Sequence, residues 1–213
     1  VNPFFKTFSD NSFALGEKLA SANPGEITAL NIVAPGRGNA LKKAWLESEA
    51  DILVYMDIDL AVSLKNINDL LKPLMGGDYD MSIGSRLLPE SKISRSFIRE
   101  LSSQTYNFLS KIILGHNFSD LQCGFKAINT EAFKKIAPFI KDNKWFFDTE
   151  LIILAYRFGF KIKEIPVDWE ECRWDKRKSK VNLLRDSSKY IADLLKFKVR
   201  IAKITREFKR NSR

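Results

Sequence analysis

The stretch ITALNIVAPGRGNALKKAWLESEADILVYMDID, residues 27–59, decides the fold of this 213-residue chain. It opens with an apolar run, 27–33, that predicts a short buried strand, and a loop with two glycines follows. A predicted helix over 39–48 then leads to a second apolar strand, 52–56, which ends at the acidic tripeptide 57–59. This order of strand, glycine loop, helix and strand is typical of α/β domains whose strands run parallel.

The rest of the chain continues the alternation. Further strands are predicted over 81–84, within 120–128 and, broken by a proline, over 162–169. Further helices are predicted from near Ser9, Asp10 or Ser12 to residue 20 and over 64–75, 96–114, 130–139, 151–158 and 183–208. We therefore expect an α/β fold with a mostly parallel sheet flanked by helices, comprising a domain at 1–182 and a basic amphipathic C-terminal helix and tail at 183–213.

The bulk composition limits the classes of protein to which the chain can belong. With 45% hydrophobic residues, it is long enough for one substantial core and short for two. Its two cysteines are too few for a disulfide scaffold, which fits an intracellular, reducing setting. Its single histidine, His116, leaves almost no material for a Ser-His-Asp triad or a histidine-ligated zinc ion. The sequence as given predicts neither a membrane-spanning segment nor a secretion signal.

The positive charge is concentrated in the C-terminal part of the chain. Residues 173–213 contain 15 lysines and arginines against 4 acids, a net charge of +11, so residues 1–172 contribute −2 to the total of +9. Electrostatics alone allows such a tail to bind anionic lipid or nucleic acid, and a solvated helix face that binds nothing is a third alternative. Its aromatic residues are few and mostly at core-facing spacing, which disfavours nucleic acid.

Two features of the opening stretch suit a nucleotide diphosphate. Asp57 and Asp59 follow a buried strand, and two carboxylates at a strand end can hold Mg²⁺ or Mn²⁺, which neutralises a diphosphate. Gly36, Arg37 and Gly38 precede a helix, so the backbone can approach a ligand closely and a cation lies beside the helix N-terminus. Acids that only close a strand, and a tight turn without a ligand, are the structural alternatives.

Two further groups of side chains are candidates for binding. Arg86 follows a predicted strand, and Arg99 and Ser103 lie one helical turn apart, so the three can converge on one phosphate. Asp148 and Glu150 come after three consecutive aromatic residues, which can raise carboxylate pKa values or form a platform for a sugar. Ordinary core packing with surface acids is the alternative for the second group.

Eight short segments, taken in order, resemble the family-two glycosyltransferases, specifically the dolichyl-phosphate or polyprenyl-phosphate mannosyl- and glucosyltransferases. The resemblance covers about residues 9–198, and although no single segment is decisive, eight in the right order are hard to obtain by chance. The segments are 36–40, 56–60, 84–86, Arg99 with Ser103, 120–126, 145–150, 164–169 and 179–181.

The resemblance implies a Rossmann-like type A glycosyltransferase fold in which Asp57 and Asp59 bind Mg²⁺ or Mn²⁺ and the diphosphate of a sugar nucleotide. Three sets of site residues follow as expectations. The catalytic set is Asp57, Asp59, Asp148 and Glu150; the donor-binding set is Gly36, Arg37, Gly38, Arg177, Ser179 and Lys180; and the set for the acceptor phosphate is Arg86, Arg99 and Ser103.

Two departures from the family's pattern leave the donor open. The family opens with a strand that ends in a proline-and-glutamate loop and a second strand that ends in a nucleoside-binding Asp-Asp pair, and this sequence begins too late to match the first of them. Ala61 stands where mannosyl relatives often have a polar residue associated with the metal, which favours glucose or another sugar over mannose.

We therefore expect an inverting transferase that moves a hexose from a UDP- or GDP-sugar to dolichyl or polyprenyl phosphate. It is expected to be peripheral on the cytoplasmic face of a membrane and not to bind nucleic acid, with a spanning segment beyond Arg213 as an open alternative. A catalytically inactive, membrane-associated relative is the first alternative, and a basic nucleic-acid-binding protein is the second.

Overall fold

A computed structural model describes residues 5–6, 11–32, 34–94, 97–170 and 183–211. Its strands are β1 (Phe5–Lys6), β2 (Asn31–Ile32), β3 (Ile52–Met56), β4 (Met81–Ser85), β5 (Lys92–Ser94), β6 (Phe125–Asn129), β7 (Ile162–Pro166) and β8 (Asp168–Glu170). Its α-helices are α1 (Ser12–Ala22), α2 (Arg37–Leu46), α3 (Ile67–Met75), α4 (Phe97–Leu114), α5 (Thr130–Ile136), α6 (Phe147–Arg157) and α7 (Leu183–Asn211). Short 3₁₀ turns at Leu64–Asn66 and Ala137–Phe139 adjoin α3 and α5.

A four-stranded sheet in the order β3-β6-β4-β7 forms the centre of the molecule. β6 is antiparallel to both of its neighbours, and β7 is parallel to β4, so β3, β4 and β7 all run in one direction. The expected α/β fold is therefore confirmed, and three of the four strands share one direction, but the sheet is mixed because the reversed β6 makes two of its three pairings antiparallel. Pro166 lies in β7, at an edge of the sheet, where a residue without an N–H is tolerated.

Helices cover both faces of this sheet, because its strands alternate their side chains between two apolar clusters. Leu53 and Tyr55 of β3 belong to the larger cluster, which includes residues of α2, α5, α6 and α7. Val54 lies against the smaller cluster, which Phe125 of β6 shares with α3. The sheet is thus the middle layer of three, and β3 and β4 end at the same edge, which is where open α/β sheets generally bind ligands.

Helix α6 begins four residues earlier than the sequence predicts. The carboxylate of Asp142 accepts hydrogen bonds from the backbone N–H groups of Lys144, at 2.7 Å, and Phe147, at 3.1 Å. This side chain satisfies a donor that the first turn of the helix leaves unpaired. Asp148 and Glu150 therefore lie in the first helical turn and not in a loop.

Helix α7 is amphipathic, as predicted, and its apolar positions are divided between two environments. Leu194, Phe197, Ile201 and Ile204 are buried and belong to the larger cluster. Ile191, Leu195 and Val199 lie on an adjoining face and are exposed. The helix thus packs on α4 and α6 while part of its apolar surface remains in contact with solvent. The proposed boundary between residues 182 and 183 stays a prediction.

Candidate active site

Asp57 and Asp59 are at the end of β3, in a tight turn. The Asp57 N–H donates to Gly124 O at 2.9 Å, and the Asp57 carbonyl accepts from Leu60 N at 3.1 Å. Leu60 has a φ of 50°, a left-handed value that is unusual for a residue with a side chain. Asp59 Oδ1 accepts from Ala61 N at 3.1 Å, so this carboxylate also supports the turn. The turn fixes both carboxylates at the expected edge of the sheet.

The guanidinium of Arg37, in the first turn of α2, lies between two carboxylates. Arg37 Nη1 is 3.1 Å from Asp57 Oδ1, and Nη2 donates to Asp148 Oδ2. The ring of Trp145 covers the guanidinium, 4.4 Å from its central carbon. Arg37 Nε is buried and has no hydrogen-bond partner among the described residues. The structure thus joins three of the predicted site residues, Arg37, Asp57 and Asp148, around a cation with an unused donor.

Asp148 is fully buried and is surrounded by donors. Its Oδ1 accepts a hydrogen bond from the Tyr55 hydroxyl and lies 3.0 Å from Lys126 Nζ. Lys126 also donates to Tyr55 Oη, at 3.2 Å, and to the Cys123 carbonyl. Burial lowers the pKa of Lys126 from 10.5 to about 7 and raises the pKa of Tyr55 above its ordinary value of 10.0. This buried network holds Asp148, and through it Arg37, behind Asp57.

The two glycines of the loop before α2 are required by close packing. A Cβ on Gly36, whose φ is 136°, would overlap the carbonyl oxygen of Asn143. A Cβ on Gly38 would be 2.6 Å from Phe147 Cβ. Asn143 O also accepts from Asn39 N at 3.1 Å. The glycines let the loop lie directly on the segment 141–147, and a role for them in donor binding remains a proposal.

The donor set at the end of β3 fits a divalent cation that is shared with a ligand. In the described part of the chain, no group of three or more His, Cys, Asp or Glu side chains could hold a metal ion. Asp57 and Asp59 offer carboxylate oxygens at an open edge, and the Asp57 side chain is 42% exposed. Mg²⁺ is commonly held by one or two protein carboxylates together with phosphate oxygens and water, which is the arrangement that two aspartates here permit.

The structure gives Arg86 a buried carboxylate partner. Its Nε and Nη2 are 2.6 Å and 3.0 Å from the two oxygens of Asp120, and its backbone N–H donates to the same carboxylate at 3.2 Å. The charge of Arg86 outweighs burial and lowers the pKa of Asp120 to about 2. Arg86 thus forms a bidentate pair at the end of β4, and binding to an acceptor phosphate is a further role that remains a proposal.

The other residues expected at the acceptor and donor are only partly described. Ser103 lies on α4, and its Oγ is buried without a hydrogen-bond partner among the described residues. The side chain of Arg99 lies outside the described part, and so do Arg177, Ser179 and Lys180 entirely. Their expected roles remain predictions.

Glu150 is separated from this group and serves another contact. It is 3% exposed, pairs with Arg200 of α7 and accepts hydrogen bonds from the backbone N–H groups of Lys141 and Asp142. Both of its carboxylate oxygens are engaged by groups of the protein. The contacts that the structure shows for Glu150 are structural, and the catalytic role expected from the sequence remains a prediction.

Sequence reasoning assigned no role to Tyr55, Lys126 or Gly124, which complete the site from the sheet side. Tyr55 lies within an apolar strand and Lys126 within β6, so strand patterning treats them as a core residue and a surface residue. One feature of the sequence does indicate Lys126, because it is the only charged residue in the run Cys123–Ile128, which is otherwise apolar apart from a glycine. A lysine that is buried within such a run needs a partner of opposite charge or a hydrogen-bond acceptor.

Comparison with known proteins gives the same assignment as the sequence motifs. The model of the family "Glycosyl transferase family 2" matches residues 9–137. Glycosyltransferase AglD of Haloferax volcanii is 41% identical over 151 residues, which are 71% of this chain and 24% of that protein. Dolichyl-phosphate beta-glucosyltransferase of Saccharomyces cerevisiae is 31% identical over 173 residues, 75% of this chain and 51% of that protein. The chain spans about a quarter to a half of the length of these two relatives.

Solved structures confirm the expected fold. Glucosyl-3-phosphoglycerate synthase from Mycobacterium tuberculosis, in complex with Mg²⁺ and UDP, matches with a TM-score of 0.63 at 16% identity, over 92% of this chain and 66% of that one. The same enzyme with Mn²⁺, UDP-glucose and glycerol 3-phosphate matches with a TM-score of 0.60 at 15% identity, over 92% and 68%. At this identity the likeness supports the type A fold alone.

Proposed function

Because the chain belongs to glycosyl transferase family 2, we propose that it transfers a hexose from a nucleoside-diphosphate sugar to dolichyl or polyprenyl phosphate, with inversion at the anomeric carbon. The observation that carries this proposal is the arrangement of Arg37 between Asp57 and Asp148 at the end of β3. A half-exposed carboxylate for a cation and a part-buried guanidinium, whose Nε has no partner among the described residues, are the two groups that a sugar diphosphate needs.

The donor diphosphate is proposed to bind between the turn at 57–59 and the loop before α2. Asp57 and Asp59 would hold Mg²⁺ or Mn²⁺, which stabilises the negative charge of the departing diphosphate when it is bound. Arg37 would donate from the opposite side, and its salt bridge to Asp148 sets the orientation of the guanidinium. Asp148 is thus a positioning residue in this proposal, because its oxygens are taken by Arg37, Tyr55 and Lys126.

We favour UDP-glucose over GDP-mannose as the donor. Relatives from yeast and human are named dolichyl-phosphate beta-glucosyltransferases, at 31% identity in each case. The solved neighbours include complexes with UDP-glucose and Mn²⁺. Ala61, in the place of a polar residue frequent in mannosyl relatives, agrees with this choice.

The acceptor phosphate is proposed to act as the nucleophile. One of its oxygens forms a bond to the anomeric carbon while the bond from that carbon to the diphosphate oxygen breaks, and the electron pair leaves with the nucleoside diphosphate. An ionised phosphate needs no general base, so catalysis rests on orientation and on stabilising the leaving group. Ser103, whose buried Oγ lacks a partner among the described residues, is the described candidate for a donor to this phosphate, with Arg99 one turn before it.

The surface formed by α4 and α7 supports docking on a membrane. On α4, Leu101, Phe108 and Ile112 recur at helical spacing and are exposed, Phe108 by 62%. On α7, which packs against α4, Val199 is 78% exposed and Leu195 is 51% exposed. Two adjoining helices with exposed apolar stripes are suited to the boundary between lipid headgroups and acyl chains.

Basic side chains border the same surface. A groove of about 420 Å³ between α4, α6 and α7 is lined by three basic residues, Arg157, Lys198 and Arg206, and by apolar residues that include Ile113 and Ile201. The helices of the described residues are all too short or too polar to cross a bilayer. From the exposed apolar stripes and the basic groove beside them, we propose that the protein reaches its lipid acceptor through this surface, and we expect that surface to face the cytoplasmic leaflet.

Donor profiling tests the proposal. The protein is incubated with Mn²⁺, polyprenyl phosphate and, in turn, UDP-glucose and GDP-mannose, and lipid-linked product is measured by mass spectrometry. We expect glucosyl-phosphoryl-polyprenol, its loss on chelation of the metal, and its loss in Asp59→Ala. Asp51→Asn, which changes an exposed acid at the other end of β3, is the control and should retain activity. Donor binding without transfer to any lipid phosphate would instead favour the inactive relative.

A further inference from the structure

The C-terminal helix α7 holds the segment 141–146 through two contacts. Phe197, on the buried face of α7, packs edge-to-face against Phe146 with their ring centroids 5.8 Å apart. Arg200, three residues later and on the same side of the helix, pairs with the buried carboxylate of Glu150. Helix α7 is thus attached both to the segment 141–146 and to α6, the helix that follows this segment.

Glu150 passes this attachment to the backbone of the segment. Its Oε2 accepts from Lys141 N at 2.6 Å and from Asp142 N at 2.9 Å, while Oε1 faces Arg200. Without Arg200, the carboxylate would be buried with its charge uncompensated, which is unfavourable. The pair with Arg200 therefore stabilises the position of Glu150 and, through it, the start of the segment.

The segment in turn forms one wall of the loop that carries Arg37. Asn143 O accepts from Asn39 N at 3.1 Å, and its side-chain oxygen accepts from Lys42 Nζ. The Trp145 ring lies on the guanidinium of Arg37. Arg37 reaches Asp57, so an unbroken series of contacts leads from α7 to the Asp57 carboxylate at the end of β3.

We propose that Arg200 and Glu150 are positioning residues for donor binding, by which the C-terminal helix sets the loop that contacts the nucleoside diphosphate. The inference rests on the proposed function for the identity of the ligand. It also places the outer face of α7, with Val199 next to Arg200, on the same helix as the contact that orders the donor loop. The part of the protein that meets the bilayer therefore also supports the site for the soluble substrate.

Binding of UDP in the presence of Mn²⁺, measured by calorimetry, tests this without requiring turnover. Arg200→Gln and Glu150→Gln should each weaken binding about tenfold, as is typical when a residue that orients a binding group is lost. The double variant should be no weaker than the weaker single variant, because both changes remove the same contact. Lys196→Gln, an exposed charge one helical turn before Arg200, is the matched control and should bind as the wild type does.

Two further measurements separate positioning from a loss of folding. Where transfer is observed, the KM for the donor should rise about tenfold while kcat and the KM for the lipid phosphate stay within about twofold. Arg200→Lys, which retains a cation, should recover most of the affinity. A folded Arg200→Gln variant with unchanged UDP affinity overturns the inference, and so does a fall in kcat without a change in donor affinity.

Each of the remaining outcomes also supports or refutes the positioning role of Arg200 and Glu150. If Arg200→Gln does not fold, Glu150→Gln decides alone, since it preserves shape and leaves Arg200 with partial access to water. A wild-type protein that binds UDP but transfers no sugar refutes the proposed reaction and leaves the positioning test intact. A wild-type protein that binds neither UDP nor GDP refutes both.

Discussion

Gly124 of the loop before β6 lies directly against the carboxylate of Asp57. A Cβ at position 124 would overlap Asp57 Oδ2, and the carbonyl of Gly124 accepts the Asp57 N–H at 2.9 Å. The antiparallel β6 brings these residues together, because its first residue, Phe125, pairs with Met56 at the end of β3. The absence of a side chain at one residue thus sets the position of a proposed metal ligand.

Gly124→Ala is therefore expected to displace Asp57 and to weaken Mn²⁺-dependent UDP binding at least about tenfold, since the added methyl competes with the carboxylate for one space. Calorimetry with UDP and Mn²⁺ measures this. Gly76→Ala is the matched control, because a Cβ there has no neighbour closer than 3.4 Å. Equal affinity in Gly124→Ala and the wild type would mean that Asp57 can move without loss and does not hold the metal.

Much of the fold followed from local patterns. β3 was predicted at its observed bounds, Ile52–Met56, because a short apolar run that ends in acids has few alternatives. The strand over 27–33 was wrong in length, since the structure describes only Asn31–Ile32 as strand. β1 was not predicted at all, because two residues carry no periodicity.

Fewer of the contacts in the candidate site could be predicted from the sequence. Asp57 and Arg37 were identified because a motif places each at the end of a strand or the start of a helix. The pair between Arg86 and Asp120 was not, since the residues are 34 positions apart and only the fold brings them together. The expectation for Glu150 rests on its position behind three aromatic residues, and its contact with Arg200, 50 residues further on, cannot be foreseen from that segment.

Ser103→Ala is expected to affect the acceptor and not the fold. Because Ser103 Oγ has no hydrogen-bond partner in the described residues, its removal leaves no group unsatisfied, so the free energy of unfolding should not fall. If the hydroxyl binds the acceptor phosphate, the KM for polyprenyl phosphate should rise about tenfold, the loss typical of one charge-assisted hydrogen bond, with UDP affinity unchanged.

Ser110→Ala, on the same helix, is a control that should lower stability and leave the KM for the acceptor unchanged. Its hydroxyl donates to Asn107 O at 2.8 Å and is 3.1 Å from His116 Nε2. Its loss should reduce stability by about 1 kcal/mol, the net contribution of such hydrogen bonds, without a change in acceptor KM. A Ser103→Ala variant that loses stability and keeps its acceptor KM would assign Ser103 to packing.

The burial of His116 is expected to lower the free energy of unfolding in mild acid. Burial, with the charges of Lys111 and Arg157, lowers the pKa of His116 from 6.5 to about 4. The Phe118 N–H donates to Nδ1 at 3.2 Å, so protonation of that nitrogen would remove an acceptor. Between pH 6.5 and about 4 the unfolded chain binds a proton that the folded chain does not, and stability falls as the pH falls through this range.

Urea unfolding at pH 7.5 and pH 5 measures this effect. In His116→Asn, which can still accept from Phe118 N, the difference in stability between the two pH values should shrink. Asp120 does not interfere, because Arg86 keeps its pKa at about 2, so its contribution is lost only at lower pH. An unchanged pH dependence in the variant would assign the acid sensitivity to other groups.

The exposed apolar stripe of α7 predicts attachment to anionic membranes. Leu195 and Val199 are exposed although Leu194 and Ile204 of the same helix are buried, so packing on the domain does not account for the whole stripe. The double change Leu195→Gln and Val199→Gln should abolish sedimentation with anionic vesicles, because it removes about 1.5–3 kcal/mol of apolar burial at each position. Leu64→Gln, an exposed apolar residue that precedes α3 on the other side of the sheet, is the control and should sediment normally.

Substitution of the basic side chains of α7 tests whether they attract the protein to anionic lipid or only keep the helix soluble. Lys203 and Arg206 are exposed in the structure, and the side chains of Lys209 and Arg210 lie outside its described part. Each basic residue near an anionic surface contributes about 1 kcal/mol, so changing these four to glutamine should release the protein from anionic vesicles, as should high salt. Neutral vesicles should bind weakly throughout. If vesicle binding does not depend on lipid charge or on these substitutions, the charges of α7 serve only to keep the helix solvated. The lipid acceptor would then have to reach Ser103 without help from this surface.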